Sequence, residues 1–371
     1  MRLGGVQRLL RMAGVLTAAP AFLWLGAHPA LAEPYLAVRS SGTCLSCHVN
    51  RTGGGQRNAF GAEWGRTFLP WTKLEDVDLM DGSVTRWLRL GADLRGAYRG
   101  SIPDSGSFIG SYEISDANLY LSAEIVPDRV TLYVDERVAP GSASSREAFA
   151  LIRSRKAALY AKAGRFFPPY GWRLQDDQVP IRRFTGFNFA SSDTGVEVGA
   201  EPGRWSLALA VTNGSGGGAE IDNGKKVSFI GSYVRDLWRL GLSVSSNDLP
   251  GSARQSLGGV FGGYRAGPVG FLGEWDVIRV DEVDGSTTYS GVAHLQVDGV
   301  LHDGIDIRAW WGRFNADRDL GGDSQDQAGI GVDWTPIPGV QVRGFWRVRE
   351  GPATVAGSRD DEVVLELHLY F

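Results

Sequence analysis

From about residue 83 to the end of the chain, hydrophobic and polar residues alternate one by one. The clearest stretches are 116–125, 238–245 and 340–348, in each of which nearly every second residue is apolar. A period of two is that of a β-strand with one apolar and one polar face, whereas a helix would repeat every 3.6 residues. This part of the sequence is therefore predicted to be all-β.

Alternation and turn residues divide this region into sixteen predicted strands. They lie near 84–100, 110–126, 128–137, 146–154, 156–166, 194–201, 204–213, 225–235, 237–247, 256–266, 268–280, 286–299, 301–315, 325–336, 339–350 and 359–371. Five connections are only one or two residues long, among them Pro127 and Val300, and the alternate connections are longer. Short turns at one end and long loops at the other predict an antiparallel transmembrane β-barrel with both chain ends on the periplasmic side.

The last predicted strand ends on an aromatic residue, Phe371, after a regular alternation over 363–371. Mean hydropathy is -0.14 and no late apolar run exists, which excludes a membrane protein built from many helices. A barrel exposes only every second residue of each strand to lipid, so it is compatible with that hydropathy. The net charge of -4 gives no electrostatic reason to expect nucleic acid as a partner.

The first residues have the composition of an export signal. Arg2, Arg8 and Arg11 precede an apolar stretch over 12–27, and Ala30-Leu31-Ala32 has the small residues that signal peptidase requires. We expect 1–32 to be a cleaved signal peptide. A retained helical anchor is the alternative.

The chain has two cysteines, Cys44 and Cys47, and His48 follows the second directly. This is the attachment pattern for one covalent haem c: each thiol adds to a vinyl group, and the imidazole binds the iron. A disulfide is the first alternative, although so short a loop gives little entropic stabilisation. A zinc site is the second, but it lacks a neighbouring cluster of ligands.

The predicted domains are the signal peptide (1–32), a haem-binding segment (33–82) and the barrel (83–371). The middle segment is too short to bury a haem alone, so we expect it to pack against the barrel. The distal iron ligand stays open. Alternation turns His294 and His368 towards the lumen, and Met80 is near in sequence.

The longest connection, 167–193, lies between the fifth and sixth predicted strands and includes charges of both signs. A long segment without regular structure is often functional, and in porins the third long loop narrows the pore. The candidate constriction residues are Arg173, Asp176, Asp177, Arg182 and Arg183. A solvated surface loop is the alternative.

The barrel region resembles the general porins of bacterial outer membranes in three features. These are the number of strands, the short turns at one end with long loops at the other, and the last strand that ends on an aromatic residue. The stretch 33–61, with Cys44-Leu45-Ser46-Cys47-His48 followed by 51–55, resembles a monohaem N-terminus found on barrels of bacteria that exchange electrons across their envelope. This second resemblance implies haem attachment and ligation by the same three residues. The expected location is the outer membrane of a Gram-negative bacterium, with the haem segment on the periplasmic side or in the lumen.

Two functions follow as hypotheses. The first is electron transfer at or across the outer membrane by a porin-like c-type cytochrome. Because the hydrocarbon core is about 30 Å thick, one haem would need periplasmic or extracellular partner cytochromes. The second is diffusion of small solutes, with the haem segment as a plug, a sensor or a structural element. No acid–base pair is recognisable near the motif, so we do not expect an enzyme.

Overall fold

The computed structural model describes residues 33–74, 80–104, 106–154, 156–249 and 253–371. The predicted signal peptide lies outside these residues. The described chain forms one closed sheet in which each strand pairs antiparallel with its sequence neighbours and the last strand pairs with the first. The strands are β1 Leu88–Ile102, β2 Ile109–Val126, β3 Val130–Ala139, β4 Ser144–Ser154, β5 Leu159–Phe166, β6 Asp193–Ala200, β7 Trp205–Thr212, β8 Lys226–Val234, β9 Trp238–Asp248, β10 Arg254–Ala266, β11 Val269–Asp281, β12 Thr287–His302, β13 Ile305–Asn315, β14 Gln325–Ile337, β15 Val340–Glu350 and β16 Asp361–Tyr370.

The predicted sixteen-stranded antiparallel barrel is confirmed, and each predicted strand overlaps an observed one. The lengths of several turns were wrong. Pro127 and Val300 were predicted to be whole turns, but the first turn comprises residues 127–129 and Val300 lies inside β12. An antiparallel hairpin needs at least two connecting residues to reverse direction, which single-residue turns cannot supply. We call the end of the barrel with these short connections the turn end, and the opposite end the loop end.

The two faces of the sheet differ as the alternation predicts. On β12, His294 and Asp298 are buried in the lumen whereas Leu295 between them is 57% exposed on the outside. On β11, Asp276 is likewise buried and Trp275 is exposed. Apolar side chains thus face outward and polar side chains inward, the arrangement of a barrel in lipid.

The lumen is filled by two segments of the same chain. The first is the N-terminal segment 33–74, which we call the plug. It includes the short helices α1 (Pro34–Arg39) and α2 (Ala59–Thr67), and between them a 3-10 turn at Cys44–Ser46. The second is the connection 167–192 between β5 and β6, which we call the inner loop and which includes the single-turn helix α3 (Pro180–Arg183).

The apolar core lies inside the barrel, where plug and inner loop meet the wall. Tyr35 and Leu36 of the plug pack in one buried cluster with Trp172 and Ile181 of the inner loop and with Phe261 of β10. Among the described residues, no helix has the length and apolar character needed to cross a membrane.

Candidate functional site: the plug and its lumen cavity

The two cysteines lie at the start and just past the end of the 3-10 turn. Residues three apart eclipse each other in such a turn, so Cys44 and Cys47 present their side chains on the same side. The backbone N–H groups of Cys47 and His48 both donate to the Cys44 carbonyl oxygen, at 3.2 and 3.0 Å. Both thiols are free. Burial raises the pKa of the Cys47 thiol to about 11.

After His48 the chain makes a tight reversal that requires glycine. His48 pairs with Arg57 in an antiparallel bridge, and the glycines at 53, 54 and 55 all have positive φ. A Cβ on Gly53 would lie 3.1 Å from the Cys44 sulfur, and one on Gly55 would overlap the Tyr133 hydroxyl of β3. The glycine run therefore lets the motif fold back on itself and approach the barrel wall closely.

A partly open cavity lies beside the cysteines, between the plug, the inner loop and the barrel wall. On the barrel wall the cavity lies near the turn end. Its lining residues Tyr160 and Ser206 are each the second residue of a strand that starts at that end. The lining residues from the plug are Glu33, Pro34, Ala37, Thr43, Cys44, Cys47, His48, Arg51, Thr52, Gly53 and Gly54; those from the inner loop and wall are Tyr160, Pro169, Tyr170, Gly171, Trp172, Arg173, Ser206, Ala208, Ile230, Ser232 and Arg239.

The lining of the cavity suits a covalently attached haem. It combines both thiols and the imidazole of the motif with the aromatic rings of Tyr160, Tyr170 and Trp172, and such a largely apolar lining with a few polar groups is usual in cofactor sites. Among the described residues, no group of three or more histidine, cysteine or acidic side chains is arranged to hold a bare metal ion. The two thiols and the imidazole are the groups that would attach a haem and ligate its iron.

Buried polar contacts fix the plug around the motif. Asn50 donates to the Glu147 carboxylate of β4 at 2.6 Å, and its amide oxygen accepts from Lys162 of β5 at 3.4 Å. The backbone N–H of Gln56 donates to the Tyr133 hydroxyl at 2.9 Å. Hydrogen bonds to three adjacent strands of the wall, β3, β4 and β5, hold the 48–57 reversal in one orientation.

A second set of contacts holds α1. The Arg39 guanidinium is buried and lies 2.7 Å from Asp306 of β13 and 3.4 Å from Asp298 of β12. Glu33, just before α1, pairs with Arg343 of β15 at 3.0 Å. The charges of the plug thus meet opposite charges on the wall in a dry environment, where ion pairs are strong once formed and costly to break.

Of the three predicted distal ligands, none lines the cavity beside the cysteines. His368 lines a neighbouring cavity that His48 also lines, and its ring nitrogens already contact Asp93 and Gln341, each at 3.0 Å. His294 lies on the wall of β12 directly opposite Glu274 of β11.

The third candidate is far more exposed. Met80 is 69% exposed and lines a separate cavity at the turn end, next to Phe371. The choice of distal ligand stays a prediction, and His368 is the candidate that shares a cavity with His48.

The predicted constriction residues lie on the inner loop, which folds into the lumen, but most of them contact protein charges or carbonyls. Arg173 donates to the Gly53 carbonyl of the plug at 3.2 Å. Asp176 pairs with Arg347 of β15, and Asp177 pairs with Arg182 at 3.1 Å.

Their burial has electrostatic consequences. Burial lowers the pKa of Arg182 to about 10 despite the neighbouring Asp177, and burial raises the pKa of Asp177 against the opposing effect of Arg182. Arg183 is the exposed member of the set and lies over the ring of Phe184 at 5.1 Å. These charges brace the inner loop more than they line an open passage.

Sequence reasoning missed the wall residues of the cavity, Tyr160, Ser206, Ser232 and Arg239. Each occupies a lumen-facing position of its strand, so the alternation could have identified them as inward. Nothing in the sequence indicates which part of the lumen the plug occupies, because that depends on contacts between residues far apart in the chain.

Comparison with solved structures identifies the architecture. A loop-deletion form of OmpT, an outer membrane protein of Vibrio cholerae, superposes with a TM-score of 0.62 at 11% identity over 76% of this chain and 99% of that one. The barrel has the porin fold. An anion-selective porin from Comamonas acidovorans gives 0.62 at 8% identity, covering 76% and 99%. OmpF of Salmonella typhi, in complex with daunomycin, gives 0.60 at 12% identity, covering 76% and 97%.

No protein-family model matches the chain, and no curated protein matches it. At such low identity, the likeness to the porin fold concerns the backbone architecture alone.

Proposed function

We propose that this chain is a porin-like outer-membrane cytochrome that carries one covalent haem c and transfers electrons at or across the outer membrane. The observation that supports it is the cavity beside the cysteines. A complete attachment motif lies against a partly enclosed, aromatic-lined space inside a barrel. A motif on an exposed tail would not need such a space.

The outer face supports a membrane location. At the turn end it carries a run of aromatic side chains in which Trp205, Tyr233 and Trp238 follow one another at centroid distances of 4.9 and 5.7 Å. Tyr264 and Phe271 continue the run at 6.5 Å. Rings of aromatic residues at the interfaces are typical of outer-membrane barrels.

In this proposal each part of the site has a separate task. Cys44 and Cys47 attach the cofactor and His48 ligates the iron, which supplies one-electron redox chemistry when bound. The rings of Tyr160, Tyr170 and Trp172, which line the cavity, would exclude water from the bound cofactor. The contacts of Asn50 and the glycine run hold the motif at the turn end, within reach of periplasmic electron carriers. An acceptor or donor on the loop side completes the path, since one cofactor at one end does not span the membrane.

The test uses purified protein in detergent micelles, reduced under argon and mixed with an oxidised soluble c-type cytochrome. The absorbance of the soluble cytochrome is followed at a wavelength where the two haems differ. We expect its reduction to depend on the haem of this chain, with the Cys44→Ser/Cys47→Ser chain treated identically as the control. Equal rates with both chains, or no reduction with either, would contradict electron transfer by this chain. Haem staining of the same samples shows separately whether the cofactor is attached.

A second candidate function is favoured by the fold. Proteins of the same architecture include the anion-selective porin named above, so this barrel is a candidate channel for small solutes, with the plug as a gate or structural element. Planar-bilayer recordings separate the two. A stable open conductance in the wild-type chain supports diffusion, whereas a wild-type barrel that stays closed to ions at every tested voltage contradicts it.

A further inference from the structure

One buried arginine of the barrel wall has unused hydrogen-bonding capacity in the cavity beside the cysteines. Arg239, the second residue of β9, is 7% exposed and lines that cavity. Its Nε and Nη2 both donate to the Ser232 hydroxyl, at 3.2 and 3.0 Å. Its buried Nη1 has no hydrogen-bond partner.

Among the described residues no carboxylate is paired directly with Arg239, since Glu201, on which its charge acts, is paired with Arg51. Within the described part of the chain, the structure records no acidic side chain within 4.0 Å of its guanidinium; Trp172, 5.3 Å from its Cζ, supplies only the face of an aromatic ring. A buried charge is expensive unless it is paired, and buried guanidinium groups are normally paired with carboxylates or phosphates. This arrangement therefore calls for an anion from outside the chain.

The surroundings of Arg239 fit a carboxylate. Ser206 of β7 and Ser232 of β8 are direct register partners, and both line the same cavity as Arg239 on the neighbouring strand. Two hydroxyl groups beside one guanidinium can satisfy the several lone pairs of a carboxylate. The patch lies on the barrel wall, while the cysteines of the same cavity lie on the plug.

The other two arginines of this cavity have their own partners. Arg51 pairs with Glu201 at 2.6 Å. Arg173 donates to the carbonyl oxygens of Gly53 and Phe167, both at 3.2 Å, and so joins the plug to the inner loop. The Arg51 Nε is buried without a hydrogen-bond partner in the described chain too, but the charge of Arg51 is compensated by Glu201. Of the three, Arg239 is the one that combines an unpartnered buried nitrogen with no directly paired carboxylate among the residues that the structure describes.

We propose that Arg239, with Ser206 and Ser232, forms a carboxylate-binding site that receives a propionate of the haem. This inference rests on the proposed function, because it requires a haem attached at Cys44 and Cys47. Haem has two carboxylates besides its two vinyl groups, so a covalently attached haem brings into the cavity the anion that Arg239 lacks. Arg239 would act as a positioning residue that ties the cofactor on the plug to the barrel wall.

The experiment compares the holoprotein with Arg239→Gln and Arg239→Lys, and uses Arg204→Gln as the matched control. Arg204 is also a basic residue of the turn end, but it is 45% exposed and pairs loosely with Asp236 at 3.8 Å. Haem staining reports attachment, migration of unheated samples reports barrel folding, resonance Raman reports the propionate bending mode, and potentiometry reports the midpoint potential.

We expect haem to remain attached in every variant, since the thiols are unchanged. Arg239→Gln should shift the propionate mode and lower the midpoint potential, because loss of a nearby positive charge favours the oxidised, more positive iron. Arg239→Lys should lie between Arg239→Gln and the wild type in both the frequency of the propionate mode and the midpoint potential. Arg204→Gln should match the wild type in both. A purely structural role would alter folding without a selective change in the propionate mode.

The inference is overturned if haem-loaded Arg239→Gln has the propionate mode and potential of the wild type. If that variant fails to fold, the same criterion applies to Arg239→Lys, whose shorter side chain must weaken the contact. A wild-type chain without haem would refute the proposed function itself, and this inference with it.

Discussion

Replacing Arg39 by methionine tests whether charge pairs hold the plug in the lumen. Methionine keeps an unbranched apolar stem of similar length but removes the guanidinium that lies 2.7 Å from Asp306 and 3.4 Å from Asp298. Both carboxylates would remain inside the barrel, where the Asp298 side chain is 1% and the Asp306 side chain 16% exposed. The Arg39 side chain bonds to carboxylates of the strands and not to the backbone ladder, so the sixteen-strand pairing should survive.

Breaking a buried ion pair by removing one partner costs about 3–5 kcal/mol. Protonation of one aspartate would relieve part of that cost, so we expect a value near the lower end. At about 1.4 kcal/mol per tenfold change in an equilibrium constant, docking of α1 should weaken by roughly two to three powers of ten. Exposed pairs are worth only about 0–1 kcal/mol, so Arg204→Gln should change little.

Hydrogen exchange measured on folded protein in detergent or nanodiscs provides the assay. The amides of Ser40 and Gly42, which donate to Leu36 and Ala37 at 3.0 and 2.9 Å, report the docked α1. Their protection should fall by the stated factor in Arg39→Met while strand amides stay protected. Protection of these amides within twofold of the wild type would show that the ion pairs do not hold the plug. Equal loss of protection across the strands would show that plug and barrel unfold together.

Three further predictions concern the plug and the barrel end. Gly55→Ala should release the 48–57 reversal and raise the conductance in planar bilayers, because φ is +64° and a Cβ would overlap Tyr133; Gly203→Ala, with the same φ and open space, is the control and should leave the conductance unchanged. Asn50→Ala should destabilise the plug by about 1–3 kcal/mol and lower its melting transition, because Glu147 loses a buried donor; an unchanged transition would contradict this. Deleting Phe371, whose N–H donates to Ala92 at 3.2 Å, should reduce the fraction of barrel that migrates faster before heating, and full recovery of that fraction would contradict its role in closure.

The barrel was predictable because each strand encodes its own two faces. His294 and His368 could be assigned to the lumen from their neighbours alone. Successive side chains of a strand point to opposite faces, so a residue between two lipid-facing apolar residues must point inward. The pattern of Cys44, Cys47 and His48 lies within five consecutive residues and can be found in the sequence alone, but the haem it indicates stays a prediction.

The position of the plug was not predictable, for a physical reason. Arg39 meets Asp298 and Asp306 more than 250 residues away, and Asn50 meets Glu147 across 97 positions. Such contacts are decided by the shape of the filled lumen and have no periodic pattern. The same holds for the constriction residues, where Asp176 is paired with Arg347, 171 positions further along the chain.

The most direct test of the account is the mass and visible spectrum of the mature chain, produced in a host that matures c-type cytochromes. The account predicts a folded barrel whose mass exceeds that of the polypeptide by one haem, with a haem spectrum that survives denaturation. Cys44→Ser/Cys47→Ser should fold as a barrel and lose both features. A wild-type chain of unmodified mass, folded and without haem absorbance, would contradict the account and leave a plugged barrel of the porin fold.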